Sequence, residues 1–110
     1  MLSKKDVIGA NRLFHTGKLS NESRLDFALS RIHRSRNWLK TAAILSRSIL
    51  INHVFEDGNK RTAASIIATI MELNNVPYTL EKIDQAVLAI AKKNQTSVTK
   101  IEKVISNVRQ

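Results

Sequence analysis

Residues 38–63 read "WLKTAAILSRSILINHVFEDGNKRTA", and the first half of that stretch decides the fold. Trp38, Leu39, Ala42, Ala43, Leu45, Ile49 and Leu50 do not fall on one stripe of a 3.6-residue turn; they surround most of the barrel. A helix apolar on nearly every side must be buried among others, so the stretch predicts a central helix starting near Trp38. Asp57, Gly58 and Asn59 interrupt it as a turn. Helical spacing then resumes at Ala63, Ile66, Ile67, Ile70 and Leu73 or Asn74, until Asn75 and Pro77 end it.

On either side of this pair the apolar period is again helical. Val7, Ala10, Asn11 and Phe14 form a first stripe behind Ser3, which with Asp6 makes a capping box, and Gly17 stands where that helix would stop. The loop 15–21 leads to a stripe of Leu25, Ala28, Leu29 and Ile32, with Ser23 and Asp26 as a second box. Thr79 caps a stripe of Ile83, Ala86, Val87 and Ile90, and Val98, Ile101, Val104, Ile105 and Val108 make the last. No alternating strand, repeat or low-complexity tract is present. The expectation is an all-α fold: one domain over residues 1–110, about six helices around one core, with Trp38 in that core.

The composition is that of a soluble globular chain, 43% apolar and 25% charged. No apolar run approaches the roughly 20 residues that cross a bilayer, so a cytoplasmic protein is expected. With no cysteine, thiolate chemistry is excluded and any metal must be held by oxygen or imidazole, which favours magnesium over structural zinc. The net charge of +9 raises the prospect of a polyanionic partner without choosing one. No zinc-finger spacing, zipper or aromatic pair sharpens a nucleic-acid reading, so Arg31, His33, Arg34, Arg36 and Lys40 read first as a charged helix end.

The densest chemistry lies in "HVFEDGNKRTA", residues 53–63. His53 falls at the end of the central helix, and Gly58, Asn59, Lys60 and Arg61 fall on the first turn of the next. A helix start leaves unpaired N–H groups and a partial positive charge, which together attract an anion. Gly58 lets a phosphate approach those groups, and Lys60 and Arg61 add fixed cations. Asp57 beside them offers a hard oxygen to a magnesium ion that is otherwise held by phosphate oxygens. His53 is the nearby group able to accept a proton near neutral pH. His15 and His33 lie too far from His53 in sequence to make a local metal pattern with it.

These residues match a family motif. His53, Phe55, Asp57, Gly58, Asn59 and Arg61 fit HxFx(D/E)GNxR, and the chain resembles the Fic/Doc proteins, many of which transfer a phosphate-containing part of a nucleotide to a protein hydroxyl. The alanine-rich helix before the motif, "NKRTA" within it and the apolar helix ending in "NNV" resemble the Doc, or death-on-curing, branch. The resemblance implies ATP and magnesium as cofactors, with His53 as the base and Asp57 on the metal. Gly58, Asn59, Lys60 and Arg61 would hold the phosphates, and Phe55 would anchor the loop. It also implies that Thr16, Gly17, Lys18, Leu19, Ser20 and Asn21 form a flap that aligns the target peptide.

Two positions bear on the reaction. AMP-transferring relatives usually read GNGRxxR, whereas this chain has Lys60 at the second glycine and Ala64 at the second arginine, as Doc does. Gly58 points the other way, because Doc has alanine there. The expectation is a Doc-like toxin that phosphorylates a translation factor, with an acidic antitoxin as partner; the family's self-inhibiting pattern, Ser or Thr four positions before Glu-Gly or Glu-Asn, does not occur. The alternatives are an AMP-transferase and a basic non-enzymatic module that binds nucleic acid or an acidic protein.

Overall fold

A helix that is apolar all round needs neighbours on every side, and residues 38–51 have them. The computed structural model describes residues 2–34 and 37–108. Among these it contains six helices: α1 (Lys4–Arg12), α2 (Glu22–Ile32), α3 (Trp38–Ile51), α4 (Asn59–Leu73), α5 (Leu80–Lys92) and α6 (Val98–Ser106). The fold is all-α, as expected. α3 packs against α2, α4, α5 and α6, and Ala42, Ala43, Leu45 and Ile49 on it are fully buried. α1 packs across α4 and α2. No helix of the described residues is long and apolar enough to cross a membrane.

Local chemistry sets the helix starts. In α1 the Asp6 N–H donates to Ser3 Oγ at 3.2 Å and the Ser3 N–H donates to Asp6 Oδ2 at 2.8 Å, the reciprocal box read from the sequence. The Ser3 backbone N–H, with the Ser3 hydroxyl, holds the Asp6 carboxyl below its ordinary pKa. Asn37 accepts from the N–H groups of Leu39 and Lys40 to open α3, and Thr79 and Ser97 cap α5 and α6.

Three expectations are corrected. α1 ends at Arg12 rather than near Gly17, so Phe14 leaves the stripe and is 57% exposed. The cause is Asn11, buried to 1% exposure, whose Oδ1 accepts the Gly17 N–H at 2.8 Å and turns the chain away from the helix axis. The Ser23–Asp26 box does not form, because α2 begins at Glu22 and Asp26 is paired with Lys4 at 2.8 Å, beside the Lys4–Glu22 pair. Trp38 is half-buried against the core rather than within it. In the basic cluster His33, Arg34 and Lys40 are exposed, and Arg36 lies outside the described residues.

Candidate active site

The joint between α3 and α4 is built over a two-residue apolar plug. α3 ends at Ile51, and after His53 the chain drives Val54 and Phe55 into the core at 0% and 1% exposure. His53, Glu56 and Asp57 stay exposed around them. His53 takes a left-handed backbone conformation at φ 49°, uncommon for a residue with a side chain. Asn59 clasps the plug, its Oδ1 accepting from the Phe55 N–H at 3.0 Å and its Nδ2 donating to the Phe55 carbonyl at 2.9 Å. Both polar ends of that side chain are therefore engaged within the loop. What Asn59 has left to offer a phosphate is its main-chain N–H and the second hydrogen of Nδ2.

Gly58, at φ 76°, is the N-cap of α4. Its N–H donates to Asp57 Oδ1 at 2.8 Å, and the first main-chain bond of the helix runs from the Thr62 N–H to the Gly58 carbonyl at 2.9 Å. The N–H groups of Asn59, Lys60 and Arg61 thus sit at the helix start with no acceptor inside the helix. They point where the macrodipole favours an anion.

A roof from the far end of the chain fixes this turn. The Asn11 Nδ2 donates to the Asp57 carbonyl at 2.9 Å and to Thr62 Oγ1 at 3.0 Å, so one buried amide ties α1, the 13–17 loop, the motif and α4 together. His15 lies directly on Gly58: a Cβ there would stand 2.1 Å from the His15 Cδ2. The same ring places Nδ1 3.6 Å from Asp57 Oδ2. Glycine at 58 is thus demanded twice, by a left-handed φ and by the imidazole above it. Gly58→Ala is expected to cost roughly 1–2 kcal/mol for the backbone and to displace His15, read as a lower Tm and a changed His15 resonance in NMR.

Residues 18–21 lie against the motif as a short antiparallel pairing. The Glu56 N–H donates to the Lys18 carbonyl at 3.1 Å, the Ser20 N–H donates to the Val54 carbonyl at 2.8 Å, and Leu19 faces Phe55. In such a pair the N–H and C=O of Leu19 point to the opposite edge. Within the segment named as a flap, Thr16 and Gly17 precede the pairing and Lys18, Leu19, Ser20 and Asn21 carry it. Asn21 also donates through Nδ2 to the Asn52 carbonyl at 2.9 Å.

One open hollow of about 1110 Å³ gathers the rest. His53, Asp57, Gly58, Asn59, Lys60 and Arg61 all line it, together with His15, Glu56 and Leu50. Its other wall is the end of α5, with Leu88, Ala91 and Lys92, and Asn94 just beyond it. The volume lies just above the usual range for a small-molecule site and is large enough for a nucleotide. Phe55 lies beneath the hollow rather than in it, and His33 is not part of it. The Arg61 guanidinium rests over the Phe14 ring, 5.2 Å from its centroid, between the hollow and an apolar groove of about 430 Å³ that Ala64 also lines.

A model described as the Fic/DOC family matches residues 5–71, more than half of the chain. The chain belongs to the Fic/Doc family. Fic/Doc proteins are typically transferases that act on nucleotides with magnesium. Neither the curated proteins nor the solved structures gave a match. The Fic/Doc match ends at Met71, before the α5 residues that close the hollow. Among the described residues no group of three or more His, Asp or Glu side chains comes together as a metal cage. A magnesium ion held by one carboxylate and by phosphate oxygens needs no such cage. Asp57, the carboxylate expected to hold it, lines the hollow and is 83% exposed.

Sequence reasoning missed Asn11, His15 and the α5 wall. Asn11 had a signal, since it was the polar member of an apolar stripe. His15 and Lys92 had none, because only the fold brings them to the motif.

Proposed function

We propose that this Fic/Doc chain is of the Doc type: a toxin component that moves a phosphate from magnesium-bound ATP to a hydroxyl of a cytoplasmic protein of the translation machinery, of the elongation-factor kind. The observation that carries the reading is one hollow lined both by His53 and by an amide-rich helix start with Lys60, Arg61 and Asp57. His53 accepts the proton of the target hydroxyl. Its oxygen then bonds to the γ-phosphorus as the bond to the β–γ bridging oxygen breaks, and ADP leaves. Because phosphoryl transfer passes through a loose transition state with charge on the equatorial oxygens, the chain's part is positioning and charge neutralisation. Lys60, Arg61 and the N–H groups of residues 59–61 supply it, and magnesium at Asp57 adds charge neutralisation when bound. The target segment pairs with the outward N–H and C=O of Leu19 on the flap, and an acidic antitoxin restrains the toxin.

The donor's direction rests on Lys60 and Ala64. Gly58 resembles the AMP-transferring branch, and it also has a local use here, since φ 76° and the His15 ring above it both favour glycine. The test is incubation with ATP labelled at the α- or the γ-phosphate and a purified elongation factor. Transfer of the γ label is expected. Transfer of the α label would replace this reading with AMP transfer. Loss of both, with salt-steep nucleic-acid binding that survives removal of His53 and Lys60, would replace it with a binding module.

A further inference from the structure

The Asp57 carboxylate is a short side chain on an exposed turn, with little packing to aim it. Its Oδ1 accepts the Gly58 N–H at 2.8 Å, which fixes one oxygen. The other oxygen faces a single ring nitrogen, His15 Nδ1 at 3.6 Å. That distance is too long for a hydrogen bond and leaves the imidazole as the polar neighbour of this oxygen. The ring is itself held. It occupies the space a side chain at 58 would fill, with its Nε2 2.5 Å from the place of such a Cβ, and its side chain is only 24% exposed. Its backbone N–H donates to the Asn11 carbonyl at 2.8 Å, and the Asn11 amide returns to the Asp57 carbonyl at 2.9 Å. Asn11, His15 and Asp57 thus close a ring of polar contacts around Gly58.

We infer that His15 is a positioning residue: it holds the Asp57 carboxylate turned toward the hollow and so sets how tightly a divalent cation is bound together with a nucleotide. This rests on the reading of Asp57 as the metal-binding carboxylate. Two other uses of His15 fit less well. As a metal ligand it would need donors beyond Asp57, and no group of three or more His, Asp or Glu gathers there among the described residues. As a proton acceptor it is turned to Asp57 and covered by Gly58, whereas His53 is exposed. Partners that orient a metal-binding group typically change metal affinity roughly 10–100-fold when removed.

The experiment measures Mn²⁺ in place of magnesium by electron paramagnetic resonance, with the full chain and a non-hydrolysable ATP analogue. His15→Ala and His15→Phe are each expected to weaken Mn²⁺ binding about 10-fold or more. The phenylalanine keeps a ring over Gly58 and so serves if alanine loosens the loop, with circular dichroism checking the fold of each. His15→Asn should recover most of the affinity, because its Nδ2 branches from the same carbon position as Nδ1. In an Asp57→Ala background, removing His15 should cause no further loss; a purely structural role would add its effect instead. Wild-type Mn²⁺ affinity in His15→Phe, alongside a large loss in Asp57→Ala, overturns the inference and leaves the metal reading of Asp57 intact. Unchanged affinity in Asp57→Ala overturns both.

Discussion

Replacing His53 with alanine should slow transfer to the target by roughly 10²–10⁴-fold, the range over which a positioned general base contributes. Nucleotide binding should change little, because the groups proposed to hold the phosphates belong to the α4 start rather than to position 53. The contrast is measurable as a drop in kcat beside a near-constant nucleotide Kd. His53 is exposed, so its loss opens no cavity in the core. A His53→Ala protein with full transfer would remove the histidine from the chemistry, and one that had lost ATP binding would mean that the side chain supports the nucleotide instead.

Phe55→Ala should be the most damaging change in the motif for stability. The ring is 1% exposed and ranks with the largest fully buried side chains, so its truncation is expected to cost about 3–5 kcal/mol through lost burial and the cavity left behind. For a domain of this size each kcal/mol lowers Tm by roughly 4–8 °C, so the midpoint falls by tens of degrees. The effect on function should outlast the loss of fold. Phe55→Ala keeps the N–H and C=O that Asn59 grips but removes the buried ring that seats them opposite Leu19, so the folded variant at low temperature should show a slower transfer rate. Phe55→Leu, which keeps most of the volume, should lose far less. Equal melting of Phe55→Ala and wild type would mean that the plug does not hold the loop.

Much of the fold was legible because it is written in helical spacing. Ile83, Ala86, Val87 and Ile90 are all buried on one face of α5, as their period requires, and the apolar surround of α3 could only mean a central helix. Where the reading failed, a side chain had two possible employers and tertiary structure chose. Asp26 looks like a capping partner for Ser23 until Lys4 arrives from α1. Asn11 looks like one more stripe position until its amide is seen spanning the loop, the motif and α4.

The site divides the same way. The motif residues are neighbours in sequence, so the hollow's motif side could be named without coordinates. Its α5 wall could not, since Leu88, Ala91 and Lys92 reach it only through the packing of α5 on α4 and α3. Asn59 was assigned to phosphate by likeness alone. Its side chain is committed to Phe55, a use that spacing does not disclose.

The left-handed backbone at position 53 has its own consequence. An imidazole held at φ 49° carries roughly 1–2 kcal/mol of strain that glycine, and in part asparagine, would relieve. With His53 as the proposed proton acceptor, the loop would be more comfortable in an inert protein than in a working one. A descendant with no use for a proton acceptor there could shed the histidine and settle deeper into the same fold.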